Sequence, residues 1–236
     1  MIKTKYCFDV DGTLTPSRQK MDKRFAVWFS KFCERNDVYL VTGSDRPRTI
    51  EQVGECIYNT CTRVYQCSGG QTYKGDLCVE SSDWTLPISA RNWLENQLEE
   101  SAFDMRTGNH IEQRPCMVNF SIVGRGASIE QREAYVKHDT ETGERGVIRD
   151  LFNEQFPQLQ ATAGGETGLD IGPVGSDKSQ ILKDFSLNDK IIFYGDAIQH
   201  GGNDFPLASA LEDYPNSHSV HVKGWEDTWD ILKEIK

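Results

Sequence analysis

Short apolar runs and helical repeats alternate at both ends of the chain. Tyr6-Cys7-Phe8-Asp9-Val10 reads as a buried strand that ends in the turn Asp11-Gly12-Thr13. Met21, Phe25, Trp28, Phe29 and Phe32 then recur with the rhythm of an amphipathic helix. Val38-Tyr39-Leu40-Val41 is a second buried strand, closed by Thr42-Gly43-Ser44-Asp45, and a helix containing Ile50 and Val53 follows. The alternation returns late, with a helix carrying Ile181, Leu182 and Phe185, then a strand Ile191-Ile192-Phe193-Tyr194 ending at Gly195-Asp196. A further strand at Val220-His221-Val222 precedes a last helix with Trp225, Trp229, Leu232 and Ile235 on one face. Such alternation predicts a parallel sheet covered on both faces, a doubly wound, Rossmann-like α/β core.

The middle of the chain has a different pattern. Antiparallel strands are predicted around Leu77–Val79, His110–Gln113, Cys116–Ile122, Leu159–Thr162 and Leu169–Ile171, mixed with helices near Ile88–Leu98, Ile129–His138 and Gly146–Phe156. Glycine-rich stretches flank this region, Ser68-Gly69-Gly70 before it and Ala163-Gly164-Gly165 through Gly172-Pro173-Val174-Gly175 at its end. The reading is an α+β domain, residues 77–175, inserted into a discontinuous core of residues 1–76 and 176–236.

Composition narrows the class. A chain of 236 residues suits one core with one insertion rather than a string of modules. A net charge of −10 disfavours nucleic acid and anionic membranes as main partners. No stretch approaches the roughly 20 apolar residues of a membrane span, and Met1-Ile2-Lys3-Thr4-Lys5 leads into a strand rather than a signal-peptide core. The seven cysteines are odd in number and lack zinc-type spacing, which predicts buried reduced thiols in a soluble, cytoplasmic protein.

The chemistry gathers where strands end. Asp9 and Asp11 lie two apart at the end of the first strand, the place where open α/β sheets bind ligands. Two carboxylates so close repel unless a cation sits between them or one is protonated. A Mg²⁺ held by oxygen ligands satisfies Asp9 and leaves Asp11 to trade a proton. An Asx-turn with a helix cap explains either aspartate alone, but not one at the end of a buried strand. Thr42 and Ser44 offer hydroxyls and turn amides to phosphate oxygens. Lys178 opens a helix with a positive charge, and Gly195-Asp196, ahead of Gly201-Gly202-Asn203-Asp204, adds a third carboxylate.

Taken together, these segments resemble the four motifs of the haloacid dehalogenase superfamily. The closer resemblance, over almost the entire chain, is to the eukaryotic-type phosphomannomutases. It is carried by Phe8-Asp9-Val10-Asp11-Gly12-Thr13-Leu14-Thr15 with Arg18-Gln19-Lys20, by Gly43-Ser44-Asp45, and by Tyr194-Gly195-Asp196 with Gly201-Gly202-Asn203-Asp204. Within the insert, Arg114, Met117, Asn119, Gly124-Arg125 and Glu130-Gln131-Arg132 fall at that family's spacing. The resemblance implies a phosphoryl-transfer isomerase acting through a hexose 1,6-bisphosphate. Asp9 is then the nucleophile and Asp11 the general acid/base. Mg²⁺ is bound by Asp9, Asp196 and the main-chain carbonyl of Asp11. Thr42, Ser44 and Lys178 hold the transferring group. Arg18, Arg114, Arg125 and Arg132 contact the substrate, with Asp170 on sugar hydroxyls. A homodimer through the cap is implied as well.

Some of this stands without the family. Ser128-Ile129-Glu130-Gln131 is a capping-box pattern, so Arg132 falls in the first turn of a helix whose N-terminus favours an anion. Arg125 lies just before that start, with a guanidinium fork suited to phosphate. The plainer alternative pairs these arginines with the nearby Glu130 and Glu133. A straight strand over Cys116–Ile122 sets Arg114 and Arg125 at opposite ends of roughly 20 Å, so one phosphate is shared only through a bulge or side chains reaching inward. Two departures from the family stand out. Gly168 occupies the place of a serine contact, for which Thr167 is a candidate replacement, and Thr42 stands where glycine is usual and sugar phosphatases carry threonine. A Mg²⁺-dependent sugar-phosphate phosphatase is therefore the alternative function. A catalytically dead phosphosugar-binding protein is a third, and the intact Asp9, Asp11, Lys178 and Asp196 argue against it.

Overall fold

In the computed structural model, which describes residues 3–235, β1 (Thr4–Phe8) lies third from one edge of a seven-stranded sheet. β2 (Asp37–Val41) and β3 (Arg63–Gln66) lie on one side; β4 (Gln71–Lys74) and β5 (Leu77–Ser81) continue to that edge. The sheet of the insert holds β6 (Ile111–Arg114), β7 (Met117–Phe120), β8 (Leu159–Gly164) and β9 (Gly168–Pro173). On the other side of β1 come β10 (Lys190–Gly195) and β11 (His218–His221), giving the core order β11-β10-β1-β2-β3-β4-β5. β11 to β3 are parallel, and β4 and β5 turn back antiparallel. The chain divides into two compact units, one up to Ser81 and from Ser176 onward, the other Ser82–Gly175.

This corrects one sequence expectation. The strand at Leu77 pairs with β4 in the core sheet, so the insert begins after Ser81 instead of after Asp76. A short exposed hairpin has no local signal telling which sheet will extend through it.

Alternation along the core strands explains the layers. Phe8, Leu40, Val64 and Tyr194 face one way and pack with Phe25, Phe29 and Phe32 of α1 (Lys23–Arg35). α2 (Arg46–Val53) and α3 (Glu55–Thr60) join that layer through Val53, Ile57 and Tyr58. Asp22 caps α1, its carboxylate accepting from the Arg24 and Phe25 amides at 2.9 and 3.1 Å, a contribution of about 1 kcal/mol. Cys7, Tyr39, Val41, Tyr65 and Phe193 face the other way, against Ile181, Phe185, Leu207 and Leu211.

In the insert, the sheet order is β6-β7-β9-β8, all antiparallel. One face (Ile111, Val118, Phe120, Leu169, Ile171) packs on α4 (Ile88–Glu100), α5 (Ile129–Thr142) and α6 (Glu144–Gln155). Registered neighbours on antiparallel strands share a face, so Glu112, Asn119, Asp170 and Thr162 form one polar row across the opposite face. α7 (Phe205–Ala210) and α8 (Trp225–Lys233) complete the core unit. Lys178–Asp184, expected as an ordinary helix, is a 3₁₀ segment that buries Lys178 and Ile181. Among the described residues, no helix is long and apolar enough to cross a membrane. All seven cysteines are thiols, five of them buried.

Candidate active site

Register brings the core motifs to one edge. Phe8 pairs with Leu40 and with Tyr194, so the residues after them, Asp9, Thr42 and Asp196, leave the sheet together at its carboxyl end. Asp9 is buried and its amide donates to the Tyr194 carbonyl at 2.9 Å. Lys178 is buried beside it. Its ammonium is bonded to Asp9 Oδ1 and to Asp204 Oδ1, the latter at 2.6 Å. Asp204 also accepts from the Ala197 amide through Oδ2 at 3.2 Å. Oxygens of Asp9, Asp196 and Asp204 lie within 4.8 Å of one another.

Three carboxylates against one ammonium leave an excess of two negative charges in a largely buried place. Asp9 is raised to about 8 in all: burial pushes it up most, Lys178 pulls it down, and Asp204 and Asp196 push it up again. Burial likewise raises Asp196, with Asp204 adding to the effect. For Lys178, burial lowers the ammonium's pKa, but Asp204 and Asp9 outweigh that and hold it charged, above its ordinary range. Hard oxygen donors with this charge excess fit a divalent cation such as Mg²⁺. Asp204 spends both oxygens on protein donors, which leaves Asp9 and Asp196 as the side chains best able to ligate. Gly12 makes that approach possible. Its φ is +80°, and a Cβ there would lie 2.3 Å from Asp196 Oδ2, so the Asp11–Gly12 turn rests directly on this carboxylate.

Asp11 is held apart from the triad. Oδ1 accepts from the Arg18 amide at 2.6 Å and from Gln52 Nε2 at 2.9 Å, while Ser44 Oγ donates to Oδ2 at 3.4 Å. Thr42 is buried, and its hydroxyl accepts the Ser44 amide at 3.1 Å. Arg18 has a left-handed backbone, φ 57°, which lets its amide turn toward Asp11.

The insert gathers a second set of candidates. Arg114 and Arg125 both reach Glu112: Arg114 through Nε at 2.8 Å and Nη2, Arg125 through Nε at 3.1 Å. The two arginines are thus drawn together by inward-reaching side chains, and the bulge alternative is not needed. Arg132 sits in the first turn of α5, where the capping box of Ser128 and Gln131 is formed, and pairs with Glu166 at 3.5 Å. Neither Glu130 nor Glu133 is the partner of Arg125 or Arg132. Asp170 is held by Asn119, whose Nδ2 donates to Oδ1 at 2.7 Å. Gly168 sits in close quarters: a Cβ there would meet Asn119 Nδ2 at 3.0 Å and the Gly164 carbonyl at 3.1 Å. Thr167 is buried, its carbonyl accepting the Ser121 hydroxyl at 3.0 Å.

Sequence reasoning assigned no role to Gln52, Asp204 or Glu112. Asp204 was visible in the Gly201-Gly202-Asn203-Asp204 turn. Gln52 lies on a helix face with no motif, and only the tertiary fold brings it to Asp11.

A family model described as eukaryotic phosphomannomutase matches residues 25–236. The chain belongs to the eukaryotic phosphomannomutase family. It is 28% identical to a phosphomannomutase of Saccharomyces cerevisiae, the match covering 99% of this chain and 94% of the yeast protein. It is 29% identical to a phosphomannomutase of Spinacia oleracea, over 97% and 94% of the two chains. Among solved structures, a haloacid dehalogenase-like hydrolase of Bacteroides thetaiotaomicron superposes with a TM-score of 0.63 at 13% identity, all of both chains being covered. That likeness shows the fold: a haloacid dehalogenase-type α/β core with an inserted α+β domain. The phosphomannomutase family comprises isomerases that transfer phosphate within a sugar phosphate and work with a divalent metal ion.

Proposed function

We propose that this chain interconverts mannose 6-phosphate and mannose 1-phosphate, with Asp9 carrying the phosphoryl group and a hexose 1,6-bisphosphate as activator. The observation that carries the reading is the buried Asp9–Lys178–Asp204 constellation, with Asp196 beside it, in a chain of this family. Mg²⁺ would be held by Asp9, Asp196 and the main-chain carbonyl of Asp11, where it would supply neutralising charge for the carboxylates and the phosphoryl oxygens. Lys178 pins Oδ1 of Asp9, which leaves the other carboxylate oxygen to attack phosphorus. As the bond from phosphorus to the sugar oxygen breaks, Asp11 gives that oxygen a proton. In the return step Asp11 takes the proton from the other hydroxyl, which attacks the phosphoryl group on Asp9. Gln52, Ser44 and the Arg18 amide keep the Asp11 carboxylate aimed through both steps. Thr42 and Ser44 steady the transferring group, where positioning and charge account for most of the acceleration. The phosphate that is not reacting rests on the insert's arginines Arg114, Arg125 and Arg132, Arg18 is a further substrate contact, and Asp170 takes a sugar hydroxyl.

The test incubates the protein with Mg²⁺ and mannose 1-phosphate, with and without glucose 1,6-bisphosphate, and follows mannose 6-phosphate and free phosphate. Activator-dependent formation of mannose 6-phosphate supports the reading. Release of free phosphate alone replaces it with the phosphatase that Thr42 keeps in view. Dimerisation through the insert is part of the same proposal, supported by the exposed Ile129, Val147 and Leu151 on α5 and α6.

A further inference from the structure

An acid among arginines meant for a phosphate is out of place unless it has work to do. Glu112 lies opposite Asn119 in the β6–β7 register. Arg114 stands at the end of β6, and Arg125 lies beyond the far end of β7. Yet both guanidiniums converge on a single oxygen, Glu112 Oε2, at 2.8 Å for Arg114 Nε and 3.1 Å for Arg125 Nε, with Arg114 Nη2 on the same atom. Two like charges brought to one point repel, and long arginine side chains lose rotamer freedom when they are fixed. Glu112 is the group that offsets both costs. It accepts hydrogen bonds from two N–H groups of Arg114 and forms an ion pair with Arg125, which leaves most of the N–H donors that two guanidiniums carry, so the pair keeps donors, and a net positive charge, for an anion.

We infer that Glu112 is a positioning residue, holding Arg114 and Arg125 as one preformed phosphate clamp. The inference rests on the reading above, in which these arginines carry the phosphate that is not reacting. The same row continues to Asn119, which holds Asp170 at 2.7 Å, two strands and about 10 Å away. One end of the row thus sets the arginines for the phosphate, and the other sets Asp170 for a hydroxyl. Removing Glu112 also removes a negative charge that competes with phosphate. That carboxylate is one-third exposed, so the competition is screened, and the loss of order in two arginines outweighs it.

The experiment measures steady-state kinetics with mannose 1-phosphate and glucose 1,6-bisphosphate for wild type, Glu112→Gln and Glu112→Ala. Calorimetric binding of mannose 1-phosphate accompanies it. For Glu112→Ala we expect KM and Kd to rise about tenfold, the order expected from freeing two long side chains, with kcat changing less. Glu112→Gln, which keeps an accepting oxygen without the charge, falls between. In an Arg114→Ala/Arg125→Ala background, Glu112→Gln has nothing left to position and costs nothing further. Unchanged or tighter binding by both single variants overturns the inference, and so does an equal loss in the double-arginine background. If Glu112→Ala does not fold, the isosteric Glu112→Gln decides. Binding is read without turnover, so a wild type that binds mannose 1-phosphate yet does not isomerise it counts against the proposed function and leaves the clamp testable.

Discussion

Lys178→Met removes one positive charge from the most heavily charged buried spot in the core. The methionine keeps the length of the side chain, but Asp9 and Asp204 then face each other and Asp196 with no protein cation between them. Breaking a buried pair by removing one partner costs about 3–5 kcal/mol, because the remaining charge is uncompensated. Each kcal/mol shifts the midpoint of a unit of this size by about 2–4 °C, so the core transition should fall by roughly 6–20 °C in EDTA. The insert's own core (Phe103, Val118, Phe120, Tyr135, Phe152) takes no part in the pair, so a separate transition from that unit serves as an internal control. Mg²⁺ should then recover more stability in the variant than in wild type, since it meets one more negative charge. Saturation at a hundred times Kd contributes about 2.7 kcal/mol by mass action. Isomerisation should drop at least about 10²-fold even with Mg²⁺, because charge placed at the reacting phosphoryl group is lost. Differential scanning calorimetry with and without Mg²⁺, beside the coupled assay, reads all three quantities. Equal midpoints for variant and wild type in EDTA, or equal Mg²⁺ shifts in both, would refute the charge argument.

Other predictions follow from the same geometry. Asp9→Asn should abolish turnover and the phosphorylated enzyme, detected as base-labile label on the protein; substantial turnover by this variant removes Asp9 as nucleophile. Because Asp9 is raised to about 8 from an ordinary 3.8, folding takes up a proton between those values. In EDTA the contribution of Asp9 should be present below about pH 4 and lost as the pH rises toward 8. Melting curves of wild type should therefore slope downward with pH more than those of Asp9→Asn, and parallel slopes would remove the shift. Arg132→Ala should lose most isomerisation, about a hundredfold for two charged hydrogen bonds, while slow hydrolysis of an aryl phosphate survives; a parallel fall of both activities would take Arg132 out of phosphate binding. Gly12→Ala should weaken Mg²⁺ affinity sharply, since its Cβ meets Asp196 Oδ2 at 2.3 Å and its φ costs about 1–2 kcal/mol in addition; wild-type Mg²⁺ affinity by calorimetry would show that the turn relaxes freely.

What the sequence determined by itself was local or periodic. Apolar runs placed β1, β2 and β10, because runs this short, bounded by turn residues and rich in aromatic and β-branched side chains, are too brief for a buried helix. The spacing of Phe25, Phe29 and Phe32 placed α1, and Ser128 with Gln131 marked the start of α5, since capping is decided within one turn. Motifs at strand ends pointed to Asp9, Asp11 and Asp196, because a parallel sheet delivers the carboxyl ends of its strands to one edge. The tertiary structure decided what depends on register and reach. It assigned Leu77–Ser81 to the core sheet, since the pairing of an exposed hairpin is set by the strand beside it and not by its own residues. It brought Gln52 to Asp11 across 41 positions of sequence and Asp204 to Lys178 across 26. And it joined Arg114 and Arg125, which linear spacing set far apart, through Glu112. Long flexible side chains make the last case illegible in sequence: a guanidinium goes where a carboxylate holds it, and only the fold says which carboxylate lies within reach.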